Sequence, residues 1–292
     1  MEAIHELSLD RWHGPFAAET QADALAALEN GQVLVFPKLV FNVQPAELPF
    51  LSEGALDGTR KNISFDPATG TCHGTTLQGA DLARLAAMLN RFGTQAETLL
   101  RNLLPRYAPA LERARTSFRP AEISGRQYAP RKDDRRLHVD AFPTRPMHTR
   151  RILRMFTNAA VDGTSREWRV GEPFPDFAGK FLPRVRGALP GEGWILAQLG
   201  LTKGRRSAYD HIMLRLHDAA KLDDDYQARG PSLPLAFPPG TSWLCFSDQV
   251  LHAAMAGHHA LEQTFHLPVE QMAMPEQAPL RVLERLSGRR LA

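Results

Sequence analysis

Apolar positions recur along this chain with two different spacings. Through the first third the spacing is helical. Residues 20–28 carry an apolar face closed by Asn30-Gly31. Residues 81–92 and 95–115 repeat Leu and Ala at three- and four-residue intervals. Gly93-Thr94 between them pairs a C-cap glycine with an N-cap hydroxyl, so two helices are predicted there. One apolar run, 33–36, reads as a buried strand stopped by Pro37. From residue 118 the chain turns strand-like. Strands are expected at 122–128, 136–140, 151–158 and 194–198, with Pro143, Pro146, Pro173, Pro175 and Pro190 punctuating the connections. A helix is expected at 207–222. After the turn Phe237-Pro-Pro-Gly240 come strands 243–246, 250–255 and 261–267, then a helix at 280–286.

This pattern predicts an α+β fold. A mainly helical region, 1–117, would pack on a core, 118–292, that carries an inserted helix and a C-terminal helix, the whole forming one integrated domain. Several short strands with helices before and between them suit a double-stranded β-helix, a jelly-roll or cupin-like barrel buttressed by helices. At 292 residues, 43% hydrophobic and 23% charged, the composition is that of a globular protein able to bury a large core. Mean hydropathy is −0.30. No apolar run reaches the length of a membrane span, and the first residues lack the pattern of a secretion signal. Cys72 and Cys245 are the only cysteines, which argues against a disulfide framework or a zinc ribbon and for a reducing, cytoplasmic setting. The net charge is only +3, but arginines crowd residues 113–154 and 166–206. That field suits an acidic small molecule or an anionic surface. No zinc-finger, RRM or helix-turn-helix signature accompanies it, so no nucleic acid is expected.

The chemistry is carried by His138-Val-Asp140 and the distant His252. Residues i and i+2 of an extended segment share a face, so His138 and Asp140 would point together. His252 ends an apolar, strand-like segment and supplies a second imidazole. Two imidazoles and one carboxylate make the facial triad that holds Fe(II) with open coordination positions. A 2-oxoacid chelates in two of these and leaves one for dioxygen. The distal carboxylate of 2-oxoglutarate then needs a cation. The window after His252, Gly257-His-His-Ala-Leu-Glu-Gln-Thr264, contains no Arg or Lys. The strand after the H-x-D does: alternation places Arg150, Ile152, Arg154, Phe156 and Asn158 on one face. Arg154 is the predicted clamp, with Asn158 and Thr264 as helpers; its bland alternative is a structural ion pair.

Longer blocks go beyond this triad. They include Gly125-Arg-Gln-Tyr, Arg131-Lys-Asp-Asp-Arg-Arg-Leu-His-Val-Asp-Ala-Phe-Pro143, Arg151-Ile-Leu-Arg-Met-Phe-Thr-Asn158 and Trp168-Arg-Val-Gly-Glu-Pro-Phe174. Tyr209-Asp-His-Ile-Met-Leu, Ser247-Asp-Gln-Val-Leu-His252 and Leu261-Glu-Gln-Thr-Phe-His-Leu-Pro268 continue them. From about Arg119 to Pro268 the chain resembles the Kdo hydroxylases, Fe(II)/2-oxoglutarate dioxygenases that hydroxylate carbon 3 of Kdo on the lipopolysaccharide inner core to give Ko. The resemblance implies His138, Asp140 and His252 as iron ligands, and a Kdo-containing glycolipid such as Kdo2-lipid A as substrate.

An acidic sugar asks for arginines near the barrel mouth. Arg119, Arg126, Arg151, Arg166 and Arg169 are candidates, each with a surface role as its alternative. Trp168 either lines the sugar site or packs. His258-His259 is expected to mark a turn between strands, and His266 to sit behind the site or in the core. The basic, amphipathic tail from Leu280 either rests on anionic headgroups at the cytoplasmic face or docks on the protein. Two other functions fit the same residues: a 2-oxoglutarate oxygenase of protein or acyl substrates, and a non-catalytic cupin-like module that binds an acidic ligand.

Overall fold

The computed structural model describes residues 2–125, 127–189 and 191–292. In chain order its elements are β1 (Ile4–Glu6), α1 (Ala18–Glu29), β2 (Val33–Phe36), β3 (Ile63–Asp66), β4 (Thr71–His73), α2 (Gly79–Leu103) and β5 (Glu112–Arg119). There follow β6 (Arg150–Asn158), β7 (Arg166–Gly171), α3 (Phe174–Phe181), α4 (Glu192–Gln198), α5 (Ala208–Leu222) and α6 (Asp224–Arg229). The last are β8 (Ser232–Phe237), β9 (Ser242–Phe246), β10 (His252–Ala256), β11 (Ala260–Pro268) and α7 (Pro279–Ser287).

Eight strands form one mixed sheet in the order β1-β2-β9-β6-β11-β5-β3-β4, and β10-β7-β8 form a second, three-stranded sheet. Strands from both sides of residue 117 therefore share the large sheet. Period-two alternation explains the layers. Leu34, Phe36, Leu153, Met155, Leu244 and Phe246 face one way, into a core shared with Leu28 of α1 and Leu89, Phe92 and Leu100 of α2. Val33, Val35, Phe156, Trp243 and Cys245 face the other way and meet Trp168, Val170, Phe237 and Ala254 of the small sheet. The space between the two sheets is thus lined from both sides, and one part of it holds the site.

Several expected elements differ. The predicted helices 81–92 and 95–115 are one helix that ends at Leu103, just before Pro105. Gly93 is no cap. A Cβ there would lie 2.1 Å from Arg113 Nη2 and 2.4 Å from Gln263 Oε1, so this glycine lets helix and sheet approach. Beyond it, Glu112–Arg119 is a strand, paired with β11 and β3. The described part of 122–128 is not a strand, and 136–140 is reduced to a single bridge between His138 and His252. The expected strand 194–198 is helix α4: a short apolar run carries too little periodicity to separate the two states. The tail forms α7, whose Leu280, Val282 and Leu283 are buried, so its apolar face docks on the protein.

Candidate active site

The bridge is what assembles the triad. His138 N–H donates to His252 O at 3.1 Å and His252 N–H to His138 O at 2.9 Å, which sets the two residues directly opposite. Their rings lie 4.7 Å apart. Asp140, on the same face as His138, is held by its N–H to Ser247 O at 2.8 Å. One ligand atom from each of His138, Asp140 and His252 lies within 4.8 Å of the others.

The hydrogen bonds around the rings suit a metal. His138 Nδ1 lies 2.7 Å from Arg136 O and His252 Nδ1 lies 2.9 Å from Val250 O. A carbonyl can only accept, so each Nδ1 carries the proton and each Nε2 presents its lone pair. Burial lowers both imidazoles, His138 strongly, with the neighbouring ring and Lys221 adding to that shift; both are neutral at physiological pH, as a metal ligand must be. Burial works to raise the Asp140 carboxyl, but Arg154 and the two imidazoles override it and hold the acid well below the usual carboxylate range. Asp140 Oδ2 lies 3.1 Å from Arg154 Nε, yet both atoms are buried without an aligned hydrogen bond among the described residues. The donor set, its protonation and this orphaned oxygen all fit a divalent cation.

Beside the triad is a cavity of about 140 Å³. β5 contributes Arg119, β6 Arg154 and Phe156, β7 Arg166 and Trp168, β9 Trp243, β11 Glu262, and the loop before His138 contributes Asp134. Three arginines therefore face three carboxylates, counting Asp140. Two of the arginines are committed. Arg154 Nη1 is 2.8 Å from Glu262 Oε1, and Arg119 bridges Asp134 at 2.9 Å and Glu262 at 3.4 Å. Arg166 is different. Its Nη1 donates to Gly257 O at 2.6 Å, and its Nε has no hydrogen-bond partner among the described residues. Burial, with Arg119 adding, lowers its guanidinium to about 9, the mark of a buried cation short of an anion. Trp168 packs and lines the cavity at once: its ring stacks on His252 at 5.1 Å and meets Phe156 edge-on at 4.9 Å.

The sequence model for 3-deoxy-D-manno-oct-2-ulosonic acid (Kdo) hydroxylase matches residues 11–290. The chain belongs to the Kdo hydroxylase family. Among solved structures, the Kdo hydroxylase KdoO, a non-heme Fe(II) alphaketoglutarate-dependent dioxygenase, in complex with alphaketoglutarate and Fe(III), is 44% identical with a TM-score of 0.96. The match covers 100% of this chain and 98% of that one. The cobalt(II) complex of KdoO, also 44% identical, matches with a TM-score of 0.97 over 99% of this chain and 97% of that one. A comparison with curated proteins returns no match.

In this Kdo hydroxylase family member, the other expected site residues are scattered. Arg151 is fully buried on the far face of β6, paired with Asp248 at 2.7 Å and 3.1 Å and stacked over Phe246. Arg169 points away from the cavity and donates to Gln227 O at 2.9 Å. Asn158 spends its amide on Thr164 O and Phe237 O, each at 2.9 Å, which fixes the end of β6. Thr264 sits opposite Arg154 across the ladder but outside the cavity lining. Arg126 lies outside the described residues. His258-His259 is the turn between β10 and β11. Sequence reasoning missed Glu262, Asp134 and Trp243. Glu262 was within reach: it shares a strand face with Thr264, two residues on. Asp134 sits in a run of mixed charges that reads as a solvated face, and only the fold brings Arg119, Lys61 and Lys221 around it.

Proposed function

We propose that this cavity binds Fe(II) through His138, Asp140 and His252, takes 2-oxoglutarate beside it, and hydroxylates carbon 3 of a Kdo sugar on a lipid-linked acceptor to give Ko. The single observation that carries this reading is the triad itself. In a Kdo hydroxylase family member, two imidazoles locked with Nε2 outward and one orphaned carboxylate oxygen converge beside a buried arginine that lacks an anion. With 2-oxoglutarate and dioxygen, the iron supplies the oxidising power that turns a C–H bond into C–OH while the co-substrate leaves as succinate and carbon dioxide.

The residues do the rest. Arg166 receives the distal carboxylate of 2-oxoglutarate, with Arg154 and Arg119 completing the cationic wall. Glu262 and Asp134 keep those two side chains in place. Among the cavity-lining side chains, three arginines against three carboxylates sum to zero, and a divalent cation with a dianionic co-substrate adds nothing. Trp168, Trp243 and Phe156 keep the inner end dry. At about 140 Å³ the cavity is well below the roughly 300–1,000 Å³ that encloses a larger ligand. It suits the metal and a small dicarboxylate, and the sugar stands at the mouth, where Arg119 and Lys61 provide a field for its carboxylate. The two sheets are read as the halves of a double-stranded β-helix, and the whole chain as one integrated unit. No helix among the described residues is long and apolar enough to cross a membrane. Both cysteines are free, in keeping with a reducing setting at the cytoplasmic face.

The test is mass spectrometry of Kdo2-lipid A, or of its lipid IVA precursor carrying Kdo, after incubation with protein, Fe(II), ascorbate and 2-oxoglutarate. One added oxygen on the Kdo portion, dependent on both iron and 2-oxoglutarate, is the expected result. Succinate without that product points to another acceptor. Neither product nor succinate from folded, iron-loaded protein overturns the oxygenase.

A further inference from the structure

One apolar surface remains after the site is accounted for. Of the eleven large apolar side chains that stand exposed among the described residues, five fall within one short stretch: Leu189, Trp194, Ile195, Leu199 and Leu201. α4 occupies the middle of it and buries none of its residues. Beside the helix runs a groove of about 230 Å³ between Leu189, Trp194, Leu196 and Ala208, with Arg205 and Arg206 at its edge. A patch of this kind in water marks something that covers it.

Charge says what the cover is. Between residues 184 and 206 there are five cations, Arg184, Arg186, Lys203, Arg205 and Arg206, and one acid, Glu192. Arg184 is paired with Asp223 at 2.9 Å, but Arg205 and Arg206 line the groove beside the apolar side chains, and that combination matches the layers of an anionic bilayer in depth. Leucine and isoleucine reach the acyl boundary, tryptophan the interface, and lysine and arginine the phosphates. The placement is also useful. Lys203 N–H donates to Thr144 O at 2.8 Å, and Arg206 donates to Pro143 O. Pro143 and Thr144 lie just beyond Asp140, so the patch is tied to the loop that leaves the triad.

We propose that Leu189 and residues 191–201 are the surface on which this protein rests on an anionic phospholipid bilayer, with the loop 141–149 turned toward it. The inference rests on the reading that the substrate is lipid-linked, and it names the part of the chain that reaches the lipid. The docked helix α7 does not serve, since its apolar face is already covered.

The experiment is vesicle sedimentation of the full chain with phosphatidylglycerol–phosphatidylcholine vesicles and with phosphatidylcholine alone, with tryptophan emission read alongside. Trp12, Trp168 and Trp243 are buried, so a lipid-dependent change in emission reports Trp194. The expected result is binding to the anionic vesicles, a blue shift, and quenching by brominated acyl chains. Trp194→Ser with Leu199→Ser removes binding. Lys203→Glu with Arg205→Glu weakens it roughly 25-fold or more, at about 5-fold per charge near the surface. All four residues are exposed, so the variants keep the thermal midpoint of the parent. Equal binding by the apolar variant, or no binding to either vesicle, overturns the proposal. So does a dimer that Trp194→Ser dissociates, which would give the patch to a second copy. Binding is read without turnover, so it is judged apart from the substrate: Ko formation in the same vesicles with an unmoved Trp194 signal keeps the substrate and overturns the surface.

Discussion

Asp140 and the cavity arginines do different work, and single substitutions separate their roles. Asp140→Asn keeps the shape but removes the anionic ligand. Glu262 still holds Arg154, so the fold survives. Loss of an outer partner of a metal ligand costs about 10–100-fold, and loss of the ligand itself is expected to exceed that in both bound iron and hydroxylation. Retained iron and turnover in this variant would sink the triad. Arg166 and Arg151 give a sharper contrast, since both are buried arginines from the same sequence reading. Among the described residues no acid pairs with Arg166, so Arg166→Ala is expected to leave the melting temperature unchanged or higher. A charged hydrogen bond is worth about 1.5–3 kcal/mol, which predicts a rise in KM for 2-oxoglutarate of roughly 10- to 150-fold. Arg151 is matched to Asp248, so Arg151→Ala leaves a buried carboxylate alone and costs about 3–5 kcal/mol of stability. Its KM for 2-oxoglutarate stays that of the parent. Thermal melts and steady-state kinetics on the two variants decide both. Alternation is what the sequence offers to separate Arg151 from Arg154: they sit on opposite faces of β6, and only Arg154 faces the cavity.

Among the elements, α2 shows how a local rule is overridden. Replacing a helical glycine by alanine ordinarily gains about 1 kcal/mol. At Gly93 the added methyl group meets Arg113, which can move, and Gln263, which cannot. The Gln263 amide is fully buried and tied to Thr116 Oγ1 at 2.5 Å and to Ala114 O at 3.0 Å. Overpacking of this kind costs about 1–3 kcal/mol, so Gly93→Ala is expected to lower stability by a net ~1 kcal/mol, read by chemical denaturation. The same crowding explains the misread boundary: a glycine demanded by tertiary packing looks like a helix stop when only one dimension is visible. The turn between β10 and β11 has its own signature. Burial, with His258 adding, lowers His259 to about 4. Burial, with Arg150 adding, lowers His266 to about 4. The unfolded chain takes up these protons near 6.5 while the folded one resists until about 4. Stability therefore falls as pH drops through that window and levels off below it. His259 has a φ of 52°, a conformation asparagine accepts, so His259→Asn keeps the turn and flattens part of the pH dependence of the melting temperature.

At the scale of the whole molecule, the site joins two sheets and helix-borne loops, so filling it should tighten all of them. A metal with 2-oxoglutarate at a hundred times its dissociation constant is expected to add about 2.7 kcal/mol. A chelator should remove the gain, and 2-oxoglutarate without metal should give much less, since half of its anchorage is the metal. Thermal melts with each addition check this. The sequence by itself pointed to the chemistry: H-x-D with a late histidine suggests a ligand set, and period-two alternation in 150–158 assigns each residue a face. It also located β2, β6, β9, β10 and β11, because β-branched and aromatic runs have few other places to go, but not β1, β3, β4, β7 or β8. Tertiary structure decided the rest. It turned 112–119 into a strand, since β11 and β3 offered ladder partners that outweigh helical propensity. It made α4 a helix with its apolar side chains outward. And it decided which arginines are paired, because a guanidinium is held by whichever carboxylate reaches it, a fact set by strands more than a hundred residues apart in the chain.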